Sequence, residues 1–282
     1  MNILSLFDGI SCGRVALERA GIKVDNYYSS EIDEFAIHVS RHNYPDIKQI
    51  GNVLNVDGSR LGEIDLLMGG SPCQGFSFAG KRLAFEDPRS KLFFEFVRIL
   101  KECKPKYFLL ENVRMKQEFV DVISEHLGVA PLLINSALVS AQNRYRYYWT
   151  NIPNVGVPYD PEKEQLLLLD ILEMEVDSKY YATDKMKSVY DGGKYLNPSY
   201  TSQGNRVHDI EAKSPTITAG SKGYSSGYIC IDEPRKLTPI ECERLQTLPD
   251  NYTNSGISDT QRYKALGNGW TVDVIAHILR QI

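Results

Sequence analysis

The chain of 282 residues is long enough for one large domain or for a large domain with a small partner domain. Hydrophobic residues make up 42% and charged residues 24%, which is typical of a globular protein and excludes a wholly disordered or collagen-like chain. The formal net charge of −4 does not by itself indicate binding to nucleic acid. The apolar runs are too short to span a bilayer and the first residues lack the basic segment of a signal peptide, so we expect a cytoplasmic protein.

The first 150 residues predict alternating strands and helices. We expect strands at 2–7, 27–30, 64–68 and 106–110, and helices at 14–20, 33–41, 92–101 and 119–126. An antiparallel edge hairpin is expected near residues 132–139 and 146–150. This rhythm predicts an α/β fold, in which a mostly parallel sheet is covered by helices on both faces.

The composition changes after Asp177. Residues 179–228 are rich in Tyr, Ser, Gly and Asn and show no long apolar period, which predicts a small irregular β domain with long loops. Helices are expected again at 239–248 and 271–282.

A first candidate binding motif follows the first strand. Residues 7–13 read FDGISCG and open a helix, where glycine lets the backbone approach a ligand closely. Glu31 ends the second strand, about 20 residues later, where a carboxylate can hold ribose hydroxyls. The spacing is not G-x-G-x-x-G, so an adenosine ligand without a pyrophosphate fits better, and a tight turn without a ligand fits equally well.

A sharper signal lies at the end of the strand at 64–68. Residues 69–77 read GGSPCQGFS and place Cys73 on a loop bounded by Gly and Pro, where open α/β sheets bind ligands. Glu111 ends the next strand in the motif ENV, so its carboxyl group is expected beside that thiol. Gln142, Arg144 and Arg146 alternate, which predicts that their side chains lie on one face of a strand. Taken singly, these residues suit a core cysteine, a capping glutamate and a solvated basic strand.

In this order the motifs resemble those of the DNA (cytosine-5) methyltransferases. The resemblance covers nearly the whole chain and extends to the segments RKLTPIECERLQ at 235–246 and GNG at 267–269. Residues 92–96 also resemble the animal de novo methyltransferases, and the region around Gln203 resembles the compact bacterial and phage enzymes. The resemblance implies a Rossmann-like, S-adenosylmethionine-dependent methyltransferase sheet with a small irregular β recognition domain.

The resemblance also implies which part of the chain forms each functional domain. Residues 1–174 and 265–282 would form the catalytic, S-adenosylmethionine-binding domain, and residues 175–264 the target recognition domain and hinge. The methyl group of S-adenosylmethionine would pass to C5 of a cytosine flipped out of double-stranded DNA within a specific short sequence, leaving S-adenosylhomocysteine. A cognate restriction endonuclease fits this family but is not required for catalysis. We expect a monomer, with a dimer left open, at the bacterial nucleoid or in a phage-infected cell.

The family's functional residues correspond to three sets in this chain. The catalytic set is Cys73, Glu111, Arg144 and Arg146, in which the thiolate adds to C6, the glutamate hydrogen-bonds the base near N3 and N4, and the arginines hold the base carbonyl and neighbouring groups. The cofactor-binding set is Phe7, Asp8, Gly9, Ile10, Glu31, Ile32, Asn52, Val53, Gly70, Pro72, Leu92, Asn268 and Trp270. The DNA-binding set is Gln74, Ser77, Lys81, Arg82, Arg89, Gln203, Thr216 and Thr218.

Two of these positions depart from the usual family pattern. Asn52 stands where the family usually has an aspartate that accepts a hydrogen bond from the adenine amino group, and its amide oxygen can still accept one. Trp270 replaces the usual small apolar residue, although the animal enzymes also have Trp there. Gln203 resembles the side chain that fills the space left by a flipped base, but a Gln-Gly pair is also an ordinary turn.

Other functions stay open at this stage. A branch of the same family methylates transfer RNA, and some paralogues bind DNA without catalysing a reaction. A zinc nucleobase deaminase would need Pro-Cys-x-x-Cys, whereas Gln74, Gly75 and Phe76 follow Cys73. The odd number of cysteines, five, and the lack of a Cys-x-x-Cys pair give no support for a metal site or a disulfide framework. The first glycine turn disfavours a nicotinamide oxidoreductase.

Overall fold

The computed structural model describes residues 1–72, 91–188, 190–197, 199, 202–220 and 224–282. The chain forms two compact units. The first comprises Met1–Asn135, Tyr145–Pro158 and Asp273–Ile282, and the second comprises Ser136–Arg144 and Tyr159–Val272. The predicted domain boundaries at residues 174 and 265 separate a cofactor-binding part of the chain from a DNA-binding part. That assignment of functions stays a prediction.

The first unit is built on a sheet of seven strands within the described residues. These strands are β1 (Asn2–Leu6), β2 (Asn26–Ser30), β3 (Lys48–Gln49), β4 (Leu66–Gly70), β5 (Tyr107–Val113), β6 (Leu132–Asn135) and β7 (Tyr145–Thr150). They lie in the order β3-β2-β1-β4-β5-β7-β6. The strands from β3 to β5 pair in parallel, whereas β7 is antiparallel to both β5 and β6. The predicted α/β fold with a mostly parallel sheet and an antiparallel hairpin is confirmed, with β6 at the edge.

The helices of the described residues follow the predicted alternation. They are α1 (Cys12–Arg19), α2 (Glu34–Asn43), α3 (Lys91–Cys103), α4 (Gln117–Leu127), α5 (Pro161–Glu164), α6 (Asp184–Lys187), α7 (Pro239–Leu245), α8 (Asp259–Asn268) and α9 (Val272–Leu279). The side chain of Asp33 accepts hydrogen bonds from two backbone N–H groups at the start of α2, and Gly128 ends α4 in the left-handed conformation. None of the helices in these ranges has the length and apolar character needed to cross a membrane.

Helices pack on both faces of the sheet. Leu67 of β4 belongs to a core cluster with Phe93 and Phe96 of α3. The next residue, Met68, points to the opposite face, where a Cβ on Gly13 of α1 would lie only 2.5 Å from its terminal methyl group. Because both faces of β4 are covered, its side chains are apolar without alternation, as the sequence LLMGG shows.

The second unit is more irregular. It contains the described strands β8 (Val207–His208), β9 (Tyr228–Cys230) and β10 (Pro234–Arg235), which form a small sheet in the order β10-β9-β8. A bidentate ion pair joins the buried Arg235 to Glu241 at 2.7 and 2.8 Å, and Glu241 forms a capping box with Thr238 at the start of α7. Buried polar contacts such as these therefore stabilise the second unit, whose strands are short.

We predict that Gly69→Ala destabilises the protein. A Cβ at Gly69 would lie 2.8 Å from the carbonyl oxygen of Leu6, its partner in β1, so the two strands would have to move apart. The free energy of unfolding, measured by urea titration, should fall by about 1–3 kcal/mol.

Gly156→Ala is the matched control, because a Cβ there meets no atom within 4 Å. Its effect should stay within about 0.5 kcal/mol. Equal effects of the two substitutions would show that the close approach of β1 and β4 does not limit the size of residue 69.

Candidate active site

The predicted site residues of the first unit follow strands that end at one edge of the sheet. Leu6 at the end of β1 pairs with Ser30 of β2 on one side and with Gly69 of β4 on the other. The FDGISCG turn, Glu31 and the segment leading to Pro72 therefore leave neighbouring strand ends. This is the edge at which open α/β sheets bind their ligands.

Glu111 and Arg146 form an ion pair at the same edge. Arg146 Nε lies 2.9 Å from Glu111 Oε1, and the two side chains retain 13% and 11% of their exposure. Val113, two residues after Glu111 in β5, pairs with Arg146 in β7, so the antiparallel register brings the two side chains to one face. Arg146 also donates to the carbonyl oxygen of Tyr145 at 2.8 Å. The carboxylate is thus oriented by a nearby guanidinium.

Asn112 lies between Glu111 and Val113 and is 1% exposed. Its amide nitrogen is 3.2 Å from Ser71 Oγ and 3.4 Å from the Ser71 carbonyl oxygen. Its amide oxygen accepts a hydrogen bond from the backbone N–H of Val113 at 2.8 Å. Asn112 therefore fixes Ser71, which precedes Pro72. This role of Asn112 was not predicted from the sequence.

Six predicted residues of this region lie outside the described residues. They are Cys73, Gln74, Ser77, Lys81, Arg82 and Arg89. Their roles stay predictions.

The turn between β1 and α1 has an unusual backbone. Phe7, Gly9 and Ser11 have φ angles of +56°, +59° and +60°, which lie in the left-handed region. A Cβ at Gly9 would meet no atom within 4 Å, so open space adjoins the turn at this position. Such a turn needs support from the rest of the protein to persist, because non-glycine residues are strained there.

Glu31 supplies part of that support. Its carboxylate accepts hydrogen bonds from the backbone N–H groups of Gly9 at 2.8 Å, Ile32 at 2.7 Å and Asp33 at 2.9 Å. A carboxylate has about four acceptor positions, so roughly one remains for a ligand hydroxyl. Glu31 can therefore hold the turn and a ribose at the same time.

Asp8 supports the turn through its side chain. Tyr27 Oη and Ser11 Oγ each donate to its carboxylate at 2.6 Å, and Ser11 Oγ lies 2.6 Å from Ser40 Oγ. Burial raises the pKa of Asp8 above its ordinary value of 3.8, while hydrogen bonds from hydroxyl groups, that of Ser11 first, act in the opposite direction. The carboxylate is thus bound by protein hydroxyls, and its predicted contact with a cofactor stays a prediction.

The segment after β3 adds an apolar surface. Ser30 Oγ donates to the carbonyl oxygen of Gly51 at 2.7 Å, which ties this segment to the end of β2. Asn52 Oδ1 accepts from the backbone N–H of Leu54 at 3.0 Å and caps a short 3-10 turn. Leu54 and Ile32 are 58% and 69% exposed. Such exposure of large apolar side chains beside polar groups suits a ligand with a flat apolar face.

The other predicted cofactor residues of the first unit differ in exposure. Ile10 and Val53 are buried, at 1% and 5%, and their predicted contact with a cofactor stays a prediction. Gly70, Pro72 and Leu92 are partly exposed. Leu54 was not among the predicted residues, although it directly follows Asn52 and Val53, which were.

Arg144 is placed differently from Arg146. Its guanidinium is 3% exposed and donates from Nη1 to the carbonyl oxygen of Ile217 at 3.2 Å, and from Nη2 to those of Gly267 at 3.1 Å and Gly269 at 2.9 Å. All four residues belong to the second unit. These three acceptors are all backbone carbonyl oxygens.

The predicted alternation of Gln142, Arg144 and Arg146 along one strand is wrong, because β7 begins at Tyr145. The backbone before it bridges to Ser214 instead. Gln142 is fully buried, and its amide contacts the carbonyl oxygen of Leu245 and the N–H of Ile217.

The remaining predicted residues of the second unit occupy loops and helix ends. Asn268 is exposed at the end of α8, Trp270 is half-buried, and Gln203 is exposed in a 3-10 turn. Thr216 Oγ1 donates to the carbonyl oxygen of Asn143 at 2.6 Å, and Thr218 Oγ1 lies 2.8 Å from Ser225 Oγ. The two threonines therefore lie on a segment that is fixed to its surroundings.

Known proteins share both the sequence and the fold. The family described as C-5 cytosine-specific DNA methylase matches residues 1–154 and 169–282. The chain belongs to this C-5 cytosine-specific DNA methylase family. The type II methyltransferase M1.ScrFI of Lactococcus lactis subsp. cremoris is 34% identical over 305 residues, which cover 100% of this chain and 77% of that protein. The type II methyltransferase M.NlaX of Neisseria lactamica is 34% identical over 301 residues, covering 100% and 96%.

Solved structures agree in fold with this C-5 cytosine-specific DNA methylase. The Entamoeba histolytica methyltransferase EhMeth superposes with a TM-score of 0.81 at 19% identity and covers 100% of this chain and 97% of its own. A mutant of Spodoptera frugiperda DNMT2 gives a TM-score of 0.76 at 21% identity, covering 99% and 98%. The predicted family, the methyltransferase fold and the enzyme class, a DNA cytosine-5 methyltransferase, are confirmed.

We predict that Asp8→Asn changes how stability depends on pH. The folded-state pKa of Asp8 is raised, so the stability that this group contributes is full below about pH 3.8 and declines as the pH rises through the folded-state pKa. Asparagine does not titrate. The free energy of unfolding of the variant, relative to the unaltered protein, should therefore increase between about pH 4 and pH 7 in urea titrations.

Asp57→Asn is the control. Asp57 is exposed, and the hydrogen bond from Ser59 holds its pKa below 3.8, so its titration in both the folded and the unfolded state is complete by about pH 5. Its stability difference should stay flat between about pH 5 and pH 7. A flat difference for Asp8→Asn as well would contradict the raised pKa.

Proposed function

We propose that the protein transfers the methyl group of S-adenosylmethionine to C5 of a cytosine flipped out of double-stranded DNA within a specific short sequence, through a covalent adduct between Cys73 and C6. The observation that carries this proposal is the Glu111–Arg146 ion pair. Gly70, three residues before Cys73, pairs with Glu111 in the sheet. The strand that leads to the thiol therefore adjoins the strand that carries the carboxylate.

The residues around the β1–α1 turn fit S-adenosylmethionine. Glu31 retains an acceptor position for a ribose hydroxyl, and the exposed Ile32 and Leu54 suit the flat face of an adenine. The open space at Gly9 leaves room for a ligand against the backbone. Asn52 Oδ1 can accept a second hydrogen bond beside that from Leu54. The cofactor, when bound, supplies the methyl group.

The protein's own residues prepare the cytosine for this transfer. The Cys73 thiolate adds to C6, and the electron pair displaced from the C5–C6 bond makes C5 nucleophilic. Glu111 accepts a hydrogen bond from the N4 amino group and stabilises the adduct that is protonated at N3, while Arg146 orients Glu111 and donates toward the base carbonyl. After methylation, loss of the C5 proton to a base and expulsion of the thiolate restore the aromatic ring.

The DNA has to be opened for this chemistry, since C6 of a stacked cytosine is shielded from a thiol. We propose that Gln203 fills the vacated space and that Thr216 and Thr218 contact the DNA. The same proposal covers Gln74, Ser77, Lys81, Arg82 and Arg89, which follow Cys73 in the sequence. Residues 175–264 would then read the target, as in the predicted division of domains. Some relatives are type II enzymes, so a cognate endonuclease is compatible with this proposal and plays no part in the chemistry.

Base-resolution conversion sequencing of DNA from a methylation-deficient bacterial host tests the proposal. Expression of the unaltered protein should protect cytosines in one short sequence context, and Cys73→Ala should abolish the protection. Cys103→Ala is the matched control, because burial raises the pKa of the Cys103 thiol to about 11 and keeps it neutral at physiological pH. Full protection by Cys73→Ala would overturn the assignment of the nucleophile.

Substrate class is tested with purified protein and labelled S-adenosylmethionine. Methyl incorporation should occur in duplex DNA and not in transfer RNA, and Glu111→Gln should lower the single-turnover rate on DNA by about 10²–10⁴-fold. Incorporation into transfer RNA alone would overturn the DNA substrate. Binding of DNA and cofactor without any incorporation would instead assign the protein to the catalytically silent members.

We predict that Glu31→Gln weakens cofactor binding. The amide keeps the size of the side chain but has one oxygen in place of two, so it cannot accept from Gly9 and from Ile32 as the carboxylate does. Affinity for S-adenosylhomocysteine, measured by calorimetry, should fall by about 10- to 100-fold. Glu34→Gln, an equal loss of charge at an exposed position of α2, should leave the affinity unchanged. Equal affinities of both variants for S-adenosylhomocysteine would contradict the assignment of Glu31 to the cofactor site.

A further inference from the structure

Arg144 joins two segments of the second unit. One is the stretch with Thr216 and Thr218, whose middle residue, Ile217, gives its carbonyl oxygen to Nη1 at 3.2 Å. The other is the GNG segment at residues 267–269, with which α8 ends and which is called the GNG turn here. Its Gly267 and Gly269 give their carbonyl oxygens to Nη2 at 3.1 and 2.9 Å. Both hydrogens of Nη2 are used in this way.

The two segments also touch directly. A Cβ at Gly267 would lie 2.3 Å from the backbone nitrogen of Ala219 and 2.4 Å from the carbonyl carbon of Thr218. These are backbone atoms, which cannot turn aside as a flexible side chain could. The absence of a side chain at Gly267 therefore permits the contact, and Arg144 holds it from the side.

Two buried glutamines complete this arrangement. Gln142 Oε1 accepts from the backbone N–H of Ile217 at 2.9 Å, so Ile217 is bound at both its N–H and its carbonyl oxygen. Gln246 Nε2 donates to the carbonyl oxygens of Leu266 at 2.7 Å and Gly269 at 3.0 Å. Irregular backbone in a protein interior needs such partners, because an unpaired buried carbonyl costs free energy.

We propose that Arg144 is a positioning residue that determines sequence specificity, by fixing the segment with Thr216 and Thr218 against the GNG turn. This inference rests on the proposed function, since it assumes that this segment contacts DNA. A planar guanidinium reaches carbonyl oxygens of both segments at once, which a single ammonium cannot do with the same geometry. Arg144 thereby acts on the DNA through Ile217 and its neighbours, whereas Arg146 acts beside Glu111.

The test compares Arg144→Lys with the unaltered protein by conversion sequencing and by single-turnover kinetics. The recognised context should broaden to sites that differ by one base, with about a tenfold or greater loss of discrimination. The KM for DNA should rise by a larger factor than that by which the single-turnover rate at saturating DNA falls. A residue that touched the cytosine would show the opposite: an unchanged context and a much lower rate.

Arg262→Lys is the matched control, a buried arginine of the same unit that binds Glu243 and Thr253 instead. It should lower the melting temperature without broadening the context. Equal broadening by both variants would overturn the proposal, because general loosening of the unit would then explain it. Arg144→Gln is the second variant; if neither change at Arg144 gives a folded protein, the residue serves stability alone and the proposal fails.

The outcome for the unaltered protein separates the two proposals. If it methylates one DNA context and Arg144→Lys keeps that context, the inference fails and the proposed function stands. If the unaltered protein methylates no DNA, the proposed function fails and the inference falls with it.

Discussion

The antiparallel pairing of β7 with β5 is the constraint on which the candidate active site depends. A parallel strand in that position would bring its last residues to the carboxyl edge of the sheet. Because β7 runs the other way, its first residues arrive there, and Arg146 meets Val113 in register. The guanidinium then reaches Glu111 at 2.9 Å without any loop to carry it. Groups on strands are held more firmly than groups on loops, so this pair is ready for a ligand before one binds.

Three buried or half-buried acidic side chains serve the site in different ways. Asp8 is bound by hydroxyl groups, Glu31 by backbone N–H groups and Glu111 by a guanidinium. Hydroxyl and N–H donors fix a turn, because they come from its own backbone and neighbours. The guanidinium of Arg146 compensates the charge of Glu111, which suits the substrate-binding role proposed for that carboxylate. The donors to Asp8 and Glu31 thus fix the turn, whereas Arg146 orients a carboxylate that is proposed to bind the base.

Much of the fold could be predicted from the sequence, because each buried strand and amphipathic helix has a local pattern. The predicted elements of the first 150 residues all occur, within a few residues of their bounds. The short strand β3 and the helix α8 were not predicted: β3 has only two residues, and α8 ends in the GNG segment, which looks like a loop. Which strands are neighbours depends on long-range pairing, so the position of β7 between β5 and β6 could not be read from local pattern.

In the candidate site, too, contacts between residues distant in sequence could not be predicted from local pattern. The types and order of Glu111 and Arg146 predicted an active site. Asn112 and Leu54 were not predicted to belong to it, because an amide and a leucine have no distinctive chemistry until their neighbours are known. Asn112 gains its role from a contact with Ser71, 41 positions earlier in the chain. Sequence spacing cannot supply such a contact.

Arg144 and Arg146 show how environment decides the role of a residue. They have the same side chain and stand two positions apart, yet β7 begins between them at Tyr145. The strand fixes the direction of Arg146 toward a carboxylate, whereas the chain before the strand follows Ser214 and turns Arg144 toward backbone carbonyls. A carboxylate partner can be shared with a substrate, but a backbone carbonyl that is released from Arg144 loses a hydrogen bond within the protein. The cost of releasing these carbonyls favours a guanidinium that stays in place, which agrees with the positioning role proposed for Arg144.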